Sequence, residues 1–246
     1  MTYAPYHILG EGRPSRWLVT CDHAANTVPD FIAGGSLGLP ESEMARHIAY
    51  DPGAAGVTAA LAERLDGPAI LSNFSRLVID PNRGEDDPTL LMKLYDGTII
   101  PGNRHAGAAE LEARLDACYR PYHAALGQLV AARADRVYLS IHSFTPQLKG
   151  RPPRPWQIGV LYAGDERLSA PLIARLQREA DLCVGINEPY GGHLPGDAVD
   201  RHAIANGLPN VLIELRNDVI ATPAQQRAWA ERLAPILKDV LAETGL

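Results

Sequence analysis

The amino-acid sequence predicts a single α/β domain over residues 1–246, with a largely buried sheet and helices on both of its faces. Two observations lead to this prediction. Short apolar runs typical of buried strands alternate along the chain with segments in which apolar residues recur every three or four positions, as on one face of a helix. The chain also shows no internal repeat, low-complexity tract or linker that would mark a second domain.

The alternation begins with the run RWLVTCDHA at residues 16–24, which predicts a buried strand that ends in a turn. A helix is expected over 52–65, because Asp51 is a favourable N-cap residue and Pro52 fits the first helical position. The segment PAILSNFSRLVID at residues 68–80 then predicts one strand or two short ones.

The middle of the chain continues the pattern with a long helix. Residues 107–130 have one apolar helix face, and Pro121 inside this segment predicts a kink or a break. Strands are predicted over 136–144 and 156–163, and a further helix is predicted around 168–181.

The last part of the chain predicts a strand over 210–218 and a C-terminal helix. That helix begins at Thr222, and Gln225 is placed three residues later for a capping box. The longest irregular stretch is 83–107, and loops of this length are often functional.

Composition excludes several classes of protein. Hydrophobic residues make up 46% of the 246-residue chain, which is enough for a sizeable core, and a net charge of -6 disfavours a nucleic-acid partner. No apolar stretch is long enough to span a membrane, and the N-terminus does not resemble a secretory signal. The cysteines are few and scattered, so they indicate neither a disulfide framework nor a thiolate metal site. We expect a cytoplasmic protein with no membrane partner.

Polar residues follow or end four of the predicted strands, where an apolar strand does not require them. In open α/β sheets ligands bind beyond the carboxyl ends of the strands, so these side chains are expected to converge if their strands run in the same direction. The four groups are Asp22-His23, Asp80 through Arg83, His142-Ser143, and Glu214 through Arg216.

Two of these residues are the best candidates for metal ligands. A hydrolytic zinc site takes three protein ligands from His, Asp or Glu and leaves one position for water. His23 and His142 supply two imidazoles, and Asp51 is the preferred third ligand. Asn26 lies nearer in sequence, but a neutral amide is a poor zinc ligand. Asp22 is expected to orient a ligand, if it contributes at all.

Glu214 is a carboxylate inside the apolar run VLIELRN. Burying it is costly unless it is paired or functional. It therefore either forms a salt bridge, with Arg216 or Arg76 as partner, or acts as the general base of a hydrolytic reaction.

Several further residues are candidates for contacts with an anionic substrate. The planar fork of an arginine matches a carboxylate, which makes Arg76 and Arg83, together with Asn82, candidates for this role. His123 and Arg154 are additional candidates, for which a solvated surface position is the alternative.

Seven segments occur in an order that resembles the N-formylglutamate amidohydrolase family across roughly residues 15–220. They are DHAANTVP, YDPGAAGV, SRLVIDPNR, RPYHAAL, SIHSF, EPYGG and GLPNVLIELRND. The resemblance implies a mixed, mostly parallel sheet similar to that of the zinc carboxypeptidases. It also implies one zinc ion and hydrolysis of the N-acyl amide of an acidic amino acid such as N-formylglutamate.

The resemblance also implies roles for individual residues. His23 and His142 match the metal-binding histidines, and Glu214 matches the catalytic glutamate. Asp80, Asn82 and Arg83 match the Asp-x-Asn-Arg motif, whose Asn and Arg bind the substrate carboxylate. The better-known members of the family read Pro-His-Ser-Gly where this chain reads Asp22-His23-Ala24-Ala25, which indicates a shorter, divergent branch.

These inferences predict a zinc-dependent amidohydrolase that acts on a small anionic N-acyl amino acid. A metallopeptidase, or a deacylase for a longer acyl group, is the nearest alternative. A non-catalytic protein that binds a small carboxylic acid is the alternative of another class, although a binding protein has no need of a base such as Glu214.

Overall fold

The computed structural model describes residues 3–192 and 194–246. The strands of this part of the chain are β1 (Tyr6–Leu9), β2 (Trp17–Cys21), β3 (Ala69–Ser72), β4 (Leu94–Tyr95), β5 (Thr98–Ile99), β6 (Val137–Phe144), β7 (Ile158–Leu161), β8 (Val184–Ile186) and β9 (Asn210–Arg216). The α-helices are α1 (Glu41–Met44), α2 (Ala54–Arg64), α3 (Ala108–Arg114), α4 (Arg120–Ala131), α5 (Ser169–Leu176), α6 (Ala198–His202) and α7 (Pro223–Thr244).

One mixed sheet organises the molecule, with strand order β1-β3-β2-β6-β9-β7-β8. The four consecutive strands β3, β2, β6 and β9 are parallel, whereas β1 and β7 run antiparallel to β3 and β9. The carboxyl ends of the four parallel strands therefore meet at one edge of the sheet. The predicted mixed, mostly parallel sheet with helices on both faces is confirmed.

Two apolar clusters cover the two faces of the sheet. One joins α2, α5 and α7 to the face that includes Val19 of β2, and the other joins α4 to the face that includes Leu18. Successive strand residues point to opposite faces, so both faces of a buried strand must be apolar. This explains why β2, β3, β6 and β7 read as continuous apolar runs rather than as alternating ones.

The long helix predicted over 107–130 is interrupted. A π-helical stretch, Leu115–Tyr119, separates α3 from α4, and Pro121 lies in the first turn of α4. Proline cannot donate the backbone hydrogen bond that continues a helix, and it is tolerated in a first turn because those N–H groups have no helical partner. The predicted kink or break is thus a local change of helix type just before the proline.

Other boundaries differ from the sequence-based expectation. The segment 68–80 forms one strand, β3, and continues as turns, while the irregular stretch 83–107 contains the small hairpin of β4 and β5. The sequence pattern does not predict the two short edge strands β1 and β8. Strands of four and three residues that are half exposed give little apolar pattern. Among the described helices, none has the length and apolarity required to cross a membrane.

Helix α2 begins differently from the prediction. Its N-cap is Gly53, with φ at 84°, and Asp51 is therefore not the cap. A side chain at Gly53 would place its Cβ 2.3 Å from the carbonyl oxygen of Ile220, so only glycine fits this approach. The shifted start frees the Asp51 carboxylate for contacts at the edge of the sheet.

The predicted capping box of α7 provides a test of the fold. The Thr222 hydroxyl accepts a hydrogen bond from the Gln225 backbone N–H, and the Gln225 side chain accepts one from the Thr222 N–H. Thr222→Ala should lower the free energy of unfolding by about 1 kcal/mol, as measured by urea denaturation. The exposed Thr27→Ala is the control, and equal effects of the two substitutions would show that the cap contributes nothing.

Candidate active site

The carboxyl edge of the parallel strands collects the polar residues that the sequence pattern singles out. Asp22 and His23 directly follow β2, and His142 lies near the end of β6. Glu214 of β9 is the register partner of His142, so their side chains emerge from the same face of adjacent strands. All four residues are buried, with exposures of 6% or less.

One carboxylate oxygen of Asp51 is the meeting point of two imidazoles. The Nδ1 atoms of His23 and His142 lie 3.3 and 2.9 Å from Asp51 Oδ2. The Ser143 backbone N–H donates to the same oxygen at 3.2 Å. Asp51 is held in place by its own N–H, which donates to the His23 carbonyl at 2.9 Å. The ligand atoms of His23, Asp51 and His142 all lie within 4.8 Å of one another, and this group could hold a metal ion.

A second carboxylate lies behind the His23 ring. The His23 Nε2 atom is 2.7 Å from Asp80 Oδ1, on the side of the ring opposite Asp51. Asp80 Oδ2 accepts hydrogen bonds from the Arg76 guanidinium, the shorter of them 2.7 Å. The Asn82 N–H donates to Asp80 Oδ1 at 2.9 Å. These contacts fix the ring orientation of His23 and hold the pKa of the Asp80 carboxyl well below its usual range, even though burial acts in the opposite direction.

The His142 ring is supported by a different pair of groups. Its Nε2 lies 3.1 Å from Ser140 Oγ and 3.4 Å from Asp22 Oδ2. Tyr122, from α4, donates its hydroxyl hydrogen to Asp22 Oδ1 at 2.5 Å. Each imidazole therefore has a carboxylate behind it and Asp51 in front of it.

The electrostatics of this cluster follow from burial and from close pairing. Burial alone would raise the pKa of Asp51, but His23 and His142 lower it on balance. Burial alone would lower the pKa of His142, but Asp22 and Asp51 raise it well above its usual value. The buried carboxylates are thus ionised partners for positive charge at neutral pH.

Glu214 is the exception in this network. Its Oε2 atom is buried without a hydrogen-bond partner among the described residues. The two partners considered for a salt bridge are engaged elsewhere, since Arg216 pairs with Asp218 and Arg76 pairs with Asp80. Burial raises the pKa of Glu214 to about 7, although the neighbouring His142 acts in the opposite direction. A carboxyl group with this pKa can accept and return a proton near neutral pH.

These groups open into a cavity of about 480 Å³. Glu214, Asp51 and the two histidines lie in its wall, together with Asn82 and Arg83. Its apolar wall consists of Tyr95, Phe144, Leu161, Pro189, Tyr190, Leu194 and Leu212. A volume of this size is within the range typical of small-molecule sites.

The predicted substrate contacts are placed unevenly. Asn82, Arg83 and Arg76 line the cavity, with Arg76 turned toward Asp80 and Asp51. Arg154 lies beside the cavity, with its guanidinium 4.9 Å from the centre of the Tyr190 ring. His123 is not brought to the cavity. It is buried between α4 and α6, where its Nδ1 lies 2.9 Å from His202 Nε2.

The two other candidates for the third metal ligand do not face the meeting point. Asn26 is exposed, and its amide donates to the Met44 carbonyl at 2.9 Å. Asp22 lies behind the His142 ring, with one oxygen bound to the Tyr122 hydroxyl.

Several residues of the site have no clear signal in the sequence. Tyr95 of the short strand β4 and Tyr190 of a loop line the cavity, and Tyr122 reaches Asp22 across 100 residues of sequence. From the sequence we expect His47 to be a surface or loop residue, but it also lines the cavity. The glycine pair Gly191-Gly192 is the one local signal that points to the loop carrying Tyr190.

Comparison with known proteins gives consistent results. A sequence model of the N-formylglutamate amidohydrolase family matches residues 15–221. The chain is 34% identical to a gene product of Agrobacterium tumefaciens of known crystal structure, with a TM-score of 0.93 over 100% of this chain and 98% of that one. N-formylglutamate amidohydrolase from Ralstonia eutropha shares the fold at 21% identity, with a TM-score of 0.67 over 98% of this chain and 100% of that one. A search of curated proteins finds no significant match.

The raised pKa of Glu214 predicts a pH-dependent effect on stability in metal-free protein. Between the ordinary glutamate pKa of 4.5 and the raised pKa of about 7, the folded state keeps a proton that the unfolded state releases. Wild-type protein therefore loses stability as pH rises through this window. Glu214→Gln removes the loss. The free energy of unfolding of the variant, relative to that of wild type, should therefore rise by up to about 3 kcal/mol between pH ~5 and pH ~8.

Denaturant unfolding of chelator-treated protein at both pH values measures this gain. The exposed Glu243→Gln is the control and should show no such gain. A pH-independent difference between Glu214→Gln and wild type would contradict the raised pKa.

Proposed function

The chain belongs to the N-formylglutamate amidohydrolase family, and we propose that it is a metal-dependent enzyme that cleaves the amide bond of a small anionic N-acyl amino acid. N-formylglutamate is the reference substrate, because it gives the family its name. One observation supports the proposal above all others: His23, Asp51 and His142 converge beside the buried carboxylate of Glu214, whose Oε2 atom has no hydrogen-bond partner among the described residues.

The residues present fit a divalent cation such as zinc. Two imidazole nitrogens and one carboxylate oxygen are the donor set of hydrolytic zinc sites, which leave a position open for water. Protons on the Nε2 atoms of His23 and His142 would be shared with Asp80 and Asp22, and the Nδ1 lone pairs would then point toward the cation. When bound, zinc supplies a Lewis acid that lowers the pKa of water and polarises a carbonyl oxygen.

Glu214 is proposed as the general base and acid. It lies beside His142 at the cavity wall, and a pKa of about 7 allows it to take the proton of the attacking water. Hydroxide addition to the acyl carbonyl breaks the amide bond once the leaving nitrogen is protonated. Glu214 returns the proton to that nitrogen, and the products are a free amino acid and a carboxylic acid.

Arg83 and Asn82 are proposed to hold the substrate carboxylate. The Arg83 side chain donates to Thr89 Oγ1 at 3.0 Å and to the Asn82 carbonyl at 2.6 Å, both of which are uncharged acceptors. Its charge is therefore available to an anion in the cavity. Arg76 instead neutralises Asp80 and Asp51, so we propose that it positions the metal-binding residues and does not bind the substrate.

The alternatives of the sequence analysis differ in what they require of these residues. A protein that only binds a small acid needs Arg83 but has no need of a buried glutamate near pKa 7. A metallopeptidase or a deacylase for longer acyl groups would use the same chemistry, so only its preferred substrate would separate it from the proposed activity.

Metal content tests the cation site directly. Wild-type protein should carry about one zinc ion per chain, and His142→Ala should lose it, because three protein ligands are needed to hold the ion. Elemental analysis of the purified proteins gives the ratio. His7→Ala, at an exposed histidine, should retain the metal. Wild-type protein that neither contains nor takes up zinc would refute the proposal.

The role of Glu214 predicts a specific kinetic defect. Glu214→Gln should lower kcat for N-formylglutamate, or for the best N-acyl amino acid found, by about 10²- to 10⁴-fold, because the base is lost. Steady-state kinetics together with elemental analysis should show that the metal stays bound. Glu243→Gln, on the surface, serves as the control. A Glu214→Gln enzyme with nearly normal kcat would exclude this residue as the base.

A further inference from the structure

The cavity continues past Glu214 over an apolar floor. Leu161 of β7 is the register partner of Leu212 of β9, and Gly159 is the register partner of Glu214. Side chains two residues apart point to the same face, so Leu212 lies next to Glu214 on the face that lines the cavity. The pair Leu161 and Leu212 thus forms a floor immediately beyond the proposed base, on the side away from His142.

The loop after β8 contributes residues to the wall of the same cavity. The loop is held against β7 because the Tyr162 N–H donates to Asn187 Oδ1 at 2.9 Å. It also packs directly on Gly159, where an added Cβ would lie 2.1 Å from the carbonyl oxygen of Glu188. Pro189, Tyr190 and Leu194 of this segment line the cavity, and Leu194 remains 39% exposed. We call the space between this loop and the Leu161–Leu212 floor the apolar recess.

The charges around the recess accommodate a single carboxylate. Arg83 is the arginine of the cavity wall without an acidic partner among the described residues, since Arg76 is paired with Asp80. Asp197 and Glu214 line the same cavity and contribute acidic groups. A second substrate carboxylate in the recess would be desolvated beside Glu214 and the leucines, with no arginine or lysine there among the described residues, which is strongly unfavourable.

Arg154 does not supply that cation inside the cavity. Its guanidinium stacks on Tyr190 and donates to the Thr145 carbonyl at 3.1 Å and to the Tyr190 hydroxyl at 3.2 Å. It lies behind the Tyr190 ring and is not part of the cavity wall. The described side chains that form the recess, Leu161, Leu212, Pro189 and Leu194, are therefore apolar.

We propose that this enzyme selects N-acyl amino acids with an apolar side chain, such as N-acyl leucine, which it holds in the apolar recess while Arg83 binds the single carboxylate. The inference rests on the proposed function and narrows its substrate class. The family's reference substrate carries a second carboxylate on its side chain, and that group would face Leu161, Leu212 and Leu194 instead of a positive charge.

A comparison of two substrates tests the selection. The zinc-loaded enzyme should show a kcat/KM for N-formyl-L-leucine that exceeds that for N-formyl-L-glutamate by about tenfold or more, as expected for a well-filled apolar pocket. An equal or higher kcat/KM for N-formyl-L-glutamate would overturn the inference and leave the proposed amidohydrolase intact.

Ligand binding to the Glu214→Gln variant measures the side-chain preference of the recess independently of catalysis. Calorimetry with Glu214→Gln should show that N-acetyl-L-leucine binds about tenfold more tightly than N-acetyl-L-glutamate. If neither formyl amino acid is hydrolysed but this order of affinity is found, the proposed function fails and the recess assignment stands. Tighter binding of the glutamate derivative would refute the assignment whatever the activity.

A substitution in the recess should reverse the preference. Leu194→Arg introduces a cation at a partly exposed position that does not depend on core packing. It should shift the ratio of kcat/KM values toward N-formyl-L-glutamate by about tenfold or more. Ile99→Arg makes the same change at a residue that is 59% exposed and is outside the cavity lining, and it should leave the ratio unchanged. An unchanged ratio in Leu194→Arg would show that the side chain binds elsewhere.

Discussion

The contact of two imidazoles with one oxygen of Asp51 is the constraint on which the rest of the site depends. A buried carboxylate is tolerated only when its charge is compensated, and here His23, His142 and the Ser143 N–H supply the compensation. These partners come from the segment after β2 and from the end of β6, so the position of Asp51 ties β2 and β6 to the start of α2. Because Gly53 caps α2, the carboxylate is free for this contact.

The next layer of contacts keeps the two imidazoles in place by different means. Behind His23, Asp80 is neutralised by Arg76, so this side carries a complete ion pair. Behind His142, Asp22 receives only the neutral Tyr122 hydroxyl and leaves its other oxygen toward the ring. On this side Asp22 is therefore paired with the His142 ring itself instead of with an arginine, and this is the ring that lies next to Glu214.

The sequence predicted the parts of this arrangement that follow from local patterns. His23, His142 and Glu214 stand out because a polar residue at the end of an apolar strand is unusual, and the parallel order of β2, β6 and β9 brings them to one edge. The capping box of α7 is equally local. The sequence predicts a capping role for Asp51 that Gly53 takes instead, yet the position of Asp51 before α2 places it between the two rings. Contacts of large sequence separation, such as that of Tyr122 with Asp22, depend on which face of the sheet α4 covers, and no local pattern specifies that face. No local pattern shows which way His123 of α4 faces either. This candidate for substrate contacts therefore lies between α4 and α6, away from the cavity.

The functional argument finally depends on the few groups that the fold leaves uncompensated. Nearly every buried charge at this edge has a partner, as expected when unpaired burial is so unfavourable. Within the described part of the chain, Glu214 has none for its Oε2 oxygen, and the acceptors of Arg83 are the uncharged Thr89 hydroxyl and Asn82 carbonyl. Asp51 and Asp80 are both paired with positive groups, and the described residues offer no such pairing for Glu214 and Arg83. Their separate positions in the cavity wall are explained if each meets a different part of a bound molecule, Glu214 at the reacting bond and Arg83 at an anionic end. The leucines that adjoin Glu214 then determine which side chain the rest of that molecule can carry.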